Sequence, residues 1–225
     1  MKIVIQCAAK KIPTPPGAGF RTVDNRLVKF VARVPDPAPQ SLTDAYAHPD
    51  HWMDGRQTWR ERLLAYNKEA PDNPLGLLPA YQLYTNPVYA HLVARWGQER
   101  VFILSAGWGL IPASFLTPEY DITYSGAKNV APHAQRRKDA LFDDFCLLPD
   151  DGDDVIFLGG KDYLPLFVRL TTGLKGRKKV FYRAKEAPLL GPRFSSQRCD
   201  TAQRTNWHYR CAQGLIDETI KVLWE

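Results

Sequence analysis

Val101-Phe-Ile-Leu-Ser-Ala106 runs straight into Gly107-Trp-Gly-Leu-Ile-Pro112. Six uncharged residues rich in β-branched and aromatic types suit a short strand covered on both faces. Three other runs share this character: Lys2–Cys7, Asp154–Leu158 and Lys179–Arg183. Helical patterns separate them, and strands alternating with helices predict an α/β fold in which helices cover both faces of a mostly parallel sheet. The expected architecture is a three-layer α/β/α domain over residues 1–225, with about four central strands.

The helices have their own punctuation. Thr58-Trp-Arg-Glu61 has capping-box spacing before Leu63, Leu64 and Tyr66, and Pro71 lies just after the helix it would start. Pro87 suits a first helical position with Asn86 as its cap, opening a helix toward Trp96. A third helix is expected over His133–Phe145 and a fourth after Asp162. The last is expected from Thr205 to Trp224, with Trp207, Cys211, Leu215, Ile216, Ile220 and Leu223 on one stripe. Ile12 to Pro49 is different, holding Pro13, Pro15, Pro16, Pro35, Pro37, Pro39 and Pro49 around one strand-like run at Arg26–Val34. It reads as an excursion from the sheet, either a lid over the carboxyl ends of the strands or a surface ornament.

Composition bounds the function. With 44% hydrophobic and 24% charged residues, the chain is of globular type. No apolar run approaches the roughly 18 to 20 residues of a membrane span, and no signal peptide is evident, so no membrane partner is expected. Cys7, Cys146, Cys199 and Cys211 form no CxxC pair, which suggests a reducing, cytoplasmic location and no structural metal. Thirty basic against 24 acidic residues give +6, a balance that permits a polyanionic partner. The acidic run Asp143, Asp144, Asp150, Asp151, Asp153 and Asp154 reads as a solvated loop. Lys175, Arg177, Lys178, Lys179, Arg183 and Lys185 follow with no acid between them, and with Lys161 they read as a nucleic-acid-binding face.

Four features fall at or beyond the predicted strand ends. Gln6-Cys7-Ala8-Ala9-Lys10-Lys11 offers a carboxamide, a thiol and two ammonium groups, of which Lys11 would be a nucleophile if desolvated or otherwise a phosphate binder. Tyr84 and Asn86 place a phenol and a base-reading carboxamide at a helix start, although helix capping alone would also explain Asn86. Ser105, Gly107 and Trp108 lie where glycines let a ligand approach the backbone and an indole would stack on a flat ring. Tyr120-Asp121-Ile122-Thr123-Tyr124-Ser125 sets a carboxylate between phenols, either as a general base or as a turn residue bonded to local N–H groups. Gly159-Gly160-Lys161 lacks the preceding pattern of a P-loop, and HExxH and GxSxG are absent. No cofactor is expected.

Taken in order, Cys7-x-x-x-Lys11, Leu83-Tyr-Thr-Asn-Pro-x-Tyr89, Ile103-Leu-Ser-Ala-x-x-Gly-Leu-Ile-Pro112 and Tyr120-Asp121 resemble the YaaA-related group, which is similar to the central domain of archaeosine synthase. The resemblance reaches from the first strand to about Arg183 and implies a uracil-DNA glycosylase-like fold and the handling of a nucleobase. Gln6 and Ile12-Pro13 stand where archaeosine synthase has a proline before the cysteine and Pro-Tyr after the lysine. The leading expectation is a hydrolase excising a modified base from DNA, in repair or antiviral defence, with DNA a better partner than RNA. Asp121, Lys11 and Asn86 are the candidate catalytic residues. Gln6, Cys7, Tyr84, Ser105, Gly107, Trp108 and Tyr124 are the candidate substrate contacts. The alternatives are a DNA-binding stress-protection protein without chemistry and a base-modifying transferase.

Overall fold

The computed structural model describes residues 1–37, 41–70, 72–124 and 130–224. Pro39, Pro71 and Ser125 lie outside the described residues. In chain order the strands are β1 (Lys2–Gln6), β2 (Leu27–Val31), β3 (Asp44–Ala47), β4 (Leu78–Pro79), β5 (Val101–Ser105), β6 (Gly109–Pro112), β7 (Leu116–Thr117), β8 (Tyr120–Asp121), β9 (Phe145–Cys146), β10 (Val155–Leu158), β11 (Lys178–Tyr182) and β12 (Phe194–Arg198). The helices are α1 (Trp59–Glu69), α2 (Val88–Trp96), α3 (Leu164–Thr171) and α4 (Trp207–Ile216).

The four apolar runs became β1, β5, β10 and β11, each within a residue of its expected bounds. β1 lies mid-sheet, parallel to β10 on one side and β5 on the other. The full order is β12-β11-β10-β1-β5-β6-β9, so seven strands replace the four expected. The three additions carry no long apolar run. β12 is the polar, half-exposed Phe194-Ser-Ser-Gln-Arg198 at the sheet's edge, and β9 has only two residues. β6 grows from the glycine stretch, which turns back antiparallel to β5. Gly109 makes that turn possible, since its φ of 87° is left-handed and a Cβ there would meet backbone atoms of Phe145 at 2.4 and 2.6 Å.

α1 starts as the sequence predicts, with the Thr58–Glu61 capping box formed on both sides. α2 and α4 pack on each other, while α3 lays Phe167 flat on Phe157 of β10 with ring centroids 4.4 Å apart. Connections from β1 to β5 and from β10 to β11 move in opposite directions, and the right-handed rule assigns their helices to opposite faces.

Two helix expectations are corrected. His133–Phe145 is not helical, because its residues serve a buried ion pair instead. Arg136 donates to both carboxylate oxygens of Asp144 at 2.8 and 2.6 Å and to Ala106 O at 2.8 Å. The two side chains are 1% and 0% exposed. Eight residues along a helix would separate them by roughly 12 Å. Asp144 also holds Arg169, so it is no solvated loop acid. α4 stops at Ile216 rather than Trp224. Glu218 takes a φ of 58°, Ile220 N–H donates back to Gly214 O at 2.9 Å, and Trp224 folds under Arg177, 4.7 Å from its guanidinium.

The excursion packs as a structured unit of its own. β2 pairs with β3 and β8 in a separate three-stranded sheet. Phe20 and Phe30 enter an aromatic cluster with Trp59, Tyr66 and Trp108, with ring centroids 5.0 to 6.3 Å apart. Such edge-to-face contacts tie the excursion to α1 and to the turn after β5.

Candidate active site at the carboxyl edge of the sheet

β1 and β10 are neighbours whose onward connections diverge, so the gap beyond their carboxyl ends is the sheet's topological switch point, where open α/β sheets bind ligands. A hollow of about 520 Å³ lies there, within the size range of small-molecule sites. Gln6 and Cys7 from the end of β1, Asn86 before α2, Asp162 and Tyr163 after β10, and Tyr209 of α4 line it.

Local bonds fix these groups. Gln6 Oε1 accepts from Gly160 N–H at 2.6 Å, clamping the two strand ends together. Cys7 Sγ is buried, accepts from Ala106 N–H at 3.3 Å and lies 3.2 Å from the Tyr163 hydroxyl. Burial pushes the Tyr163 phenol well above its ordinary pKa, so it stays a neutral donor. Asn86 Oδ1 accepts from Val88 N–H at 3.0 Å. The helix begins one residue later than expected, with Pro87 rather than Asn86 in the cap position, and the Asn86 amide NH₂ remains to meet a ligand. Tyr209 leans its hydroxyl on that of Tyr89 at 3.2 Å and is half-buried. Asp162 pairs with Lys138 at 2.6 Å across an exposed rim.

The remaining sequence candidates separate into three places. Tyr84 and Ser105 lie beneath the surface, where Tyr84 Oη is 2.9 Å from Tyr120 Oη and Ser105 Oγ donates to Tyr120 Oη at 2.8 Å. Ser105 Oγ also accepts from Gly107 and Trp108 N–H at 3.2 and 3.1 Å, so its hydroxyl holds the turn. Trp108 is 0% exposed against Phe30 and Arg60, and Gly107 is packed on Ile122 and Tyr120. Neither presents a surface to a base, which corrects their expected stacking and backbone-approach roles. Tyr124 is buried against Tyr163 and Arg136.

Lys11 and Asp121 meet instead in a second hollow of about 430 Å³ between the excursion and the loop after β1. Lys11 Nζ sits 4.2 Å over the Tyr120 ring, and burial lowers its pKa, with Cys7, Asp121 and Glu119 opposing. Asp121 is 65% exposed, 3.7 Å from His133 Nε2, and outside the lining of the switch-point hollow. Its neighbours Tyr120 and Tyr124 point into the core, so the expected aromatic enclosure of its carboxylate is absent.

The predicted basic face does not form. β11 carries Lys178 and Lys179 at its amino end, 0% and 1% exposed, with Lys178 Nζ donating to Leu174 O. Arg177 pairs with Asp154 at 2.5 Å, and Lys175 N–H binds Asp150 at 2.7 Å. Arg183 lies past the other end of the same strand, lining a third hollow of about 540 Å³ with Lys161, while Lys185 is exposed beside it. Three strand residues, Val180–Tyr182, separate Lys179 from Arg183, about 13 Å along the strand.

Sequence reasoning missed Asp162, Tyr163 and Tyr209. Gly159-Gly160 after an apolar strand was a usable signal for the first two, whereas Tyr209 depends on α4 folding back beside α2. No protein-family model, no curated protein and no solved structure matches this chain. Among the described residues no group of histidine, cysteine and carboxylate side chains is arranged to hold a metal, and no helix is long and apolar enough to cross a membrane.

Proposed function

We propose that the protein is a nucleobase-handling hydrolase that takes a modified base of DNA into the switch-point hollow and cleaves its glycosidic bond, within a uracil-DNA glycosylase-like arrangement of the sheet. The observation that carries this reading is the convergence of a carboxamide at Asn86, a neutral phenol at Tyr163 and a carboxylate at Asp162 around one hollow at the sheet's carboxyl edge. An extruded base needs an edge reader, an aromatic wall and a carboxylate to orient water or to face the positive charge that develops on the sugar. Asn86, Tyr209 and Asp162 supply these in turn, so Asp162 replaces Asp121 as the proposed catalytic carboxylate. Lys10 stands at the mouth to meet the backbone.

The test is incubation with DNA carrying a panel of modified bases, followed by hot alkali and mass analysis of released bases. Release of a free base with alkali-labile strands supports the reading. Retarded DNA with no abasic site on any substrate would mean a binding protein without chemistry.

A further inference from the structure

The third hollow, over the carboxyl ends of β10 and β11, has features that base excision next door does not use. It contains the amino terminus of α4, where Asn206 takes a left-handed φ of 56°, no side chain among the described residues caps the helix, and of the first-turn N–H groups that of Tyr209 is bonded to Asn206 O at 3.0 Å. The first-turn N–H groups of a helix point outward and carry partial positive charge, a ready anion site when nothing else satisfies them. His208, in that first turn, lines the same hollow, is 3% exposed, and among the described residues has no hydrogen-bond partner for Nε2. A buried polar nitrogen left unpaired is costly, and a ligand oxygen that reached it would relieve that cost. Lys161, Arg183 and Arg204 line the walls. The acids present are Asp162, already paired with Lys138, and Glu186.

We infer that this hollow is a phosphate subsite, in which the α4 amino terminus and His208 Nε2 donate to the phosphate oxygens while Arg204 and Lys161 supply charge. Its size and place fit a nucleotide phosphate, because Gln6, Gly160, Asp162 and Asn206 border both this hollow and the switch-point hollow. Burial holds the His208 imidazole neutral, with its pKa lowered to about 4, so it serves as a neutral donor rather than a counter-charge. The site stands on its own geometry and does not depend on base cleavage.

The experiment follows the His208 ring resonances by NMR while the full chain is titrated with inorganic phosphate in one arm and a short unmodified oligonucleotide in the other. The native protein should show saturable shifts of His208, and Arg204→Ala should weaken binding about tenfold, the loss expected for one charge-assisted contact. A response to inorganic phosphate alone assigns the subsite to a free phosphate or monoester, and a response to the oligonucleotide assigns it to the nucleic-acid backbone. If His208 stays unmoved in both arms, or if Arg204→Ala binds as native, the subsite is overturned. Neither result bears on abasic-site formation, which reports the base hollow separately.

Discussion

The two ends of the parallel sheet use charge in opposite ways. At the amino end Lys2 holds Asp151, the terminal ammonium lies 3.3 Å from Asp153, Arg177 holds Asp154, and Lys178 is capped by Leu174 O. At the carboxyl end the glycines after β10, the uncapped α4 and the side chains of Asn86, Lys161 and Arg204 face open hollows. At the amino edge the acids are therefore held by Lys2, the terminal ammonium and Arg177, whereas at the carboxyl edge scattered cations line the hollows. Local charge density in a sequence measures neither exposure nor availability.

The comparison is broken most severely at β11. Lys178→Glu with Lys179→Glu places carboxylates where side chains are almost fully enclosed, and each unpaired buried ion costs several kcal/mol against a typical total stability of about 5 to 15. Circular dichroism should show loss of the fold, whereas a folded double variant with weakened DNA binding would restore the basic-face reading. Asp162→Asn comes next. Its rim ion pair is exposed and worth at most about 1 kcal/mol, so the melting temperature should hold while base release falls by about 10²- to 10⁴-fold. Unchanged release would remove Asp162 from the chemistry.

Arg136→Ala leaves Asp144 buried beside Arg169 alone and should lower stability by about 3 to 5 kcal/mol in urea unfolding. A loss below 1 kcal/mol would mean that the 133–145 segment is not held by this pair. Acid gives the next effect. His208 and His48 both have pKa values lowered to about 4, in each case chiefly by burial, against 6.5 when unfolded. Between those values the unfolded chain binds protons that the native one does not, so stability falls as pH drops from about 6.5 toward 4. The slope is about 1.4 kcal/mol per pH unit for each histidine. In phosphate-free buffer His208→Gln should flatten part of that slope and leave the share of His48. An unaltered slope would place the His208 ring in water.

What the sequence made legible follows from where information is local. Consecutive apolar residues marked β1, β5, β10 and β11, and Thr58–Glu61 marked the start of α1, because burial on both faces and capping are read within a few residues. β12 was invisible because an edge strand needs no apolar run, and 133–145 was misread because Arg136 and Asp144 within it join through a bidentate bond that no periodicity encodes. At the site, Gln6, Cys7 and Asn86 were found, since they sit on strand and helix ends. Asp162 and Tyr163 joined them only through the adjacency of β10 and β1, and Trp108 was misjudged because the excursion supplies Phe30 to bury it.

The most direct test of the contrast between the two edges is the salt dependence of DNA affinity for two double variants. Lys161→Ala with Arg204→Ala alters the carboxyl edge, and Lys175→Ala with Arg177→Ala alters the amino edge. Each lost phosphate contact should reduce the slope of log affinity against log salt by about 0.9. A reduction approaching two for the first variant with no change for the second is the predicted result. The reverse pattern would contradict the account and move the working surface to the other end of the sheet.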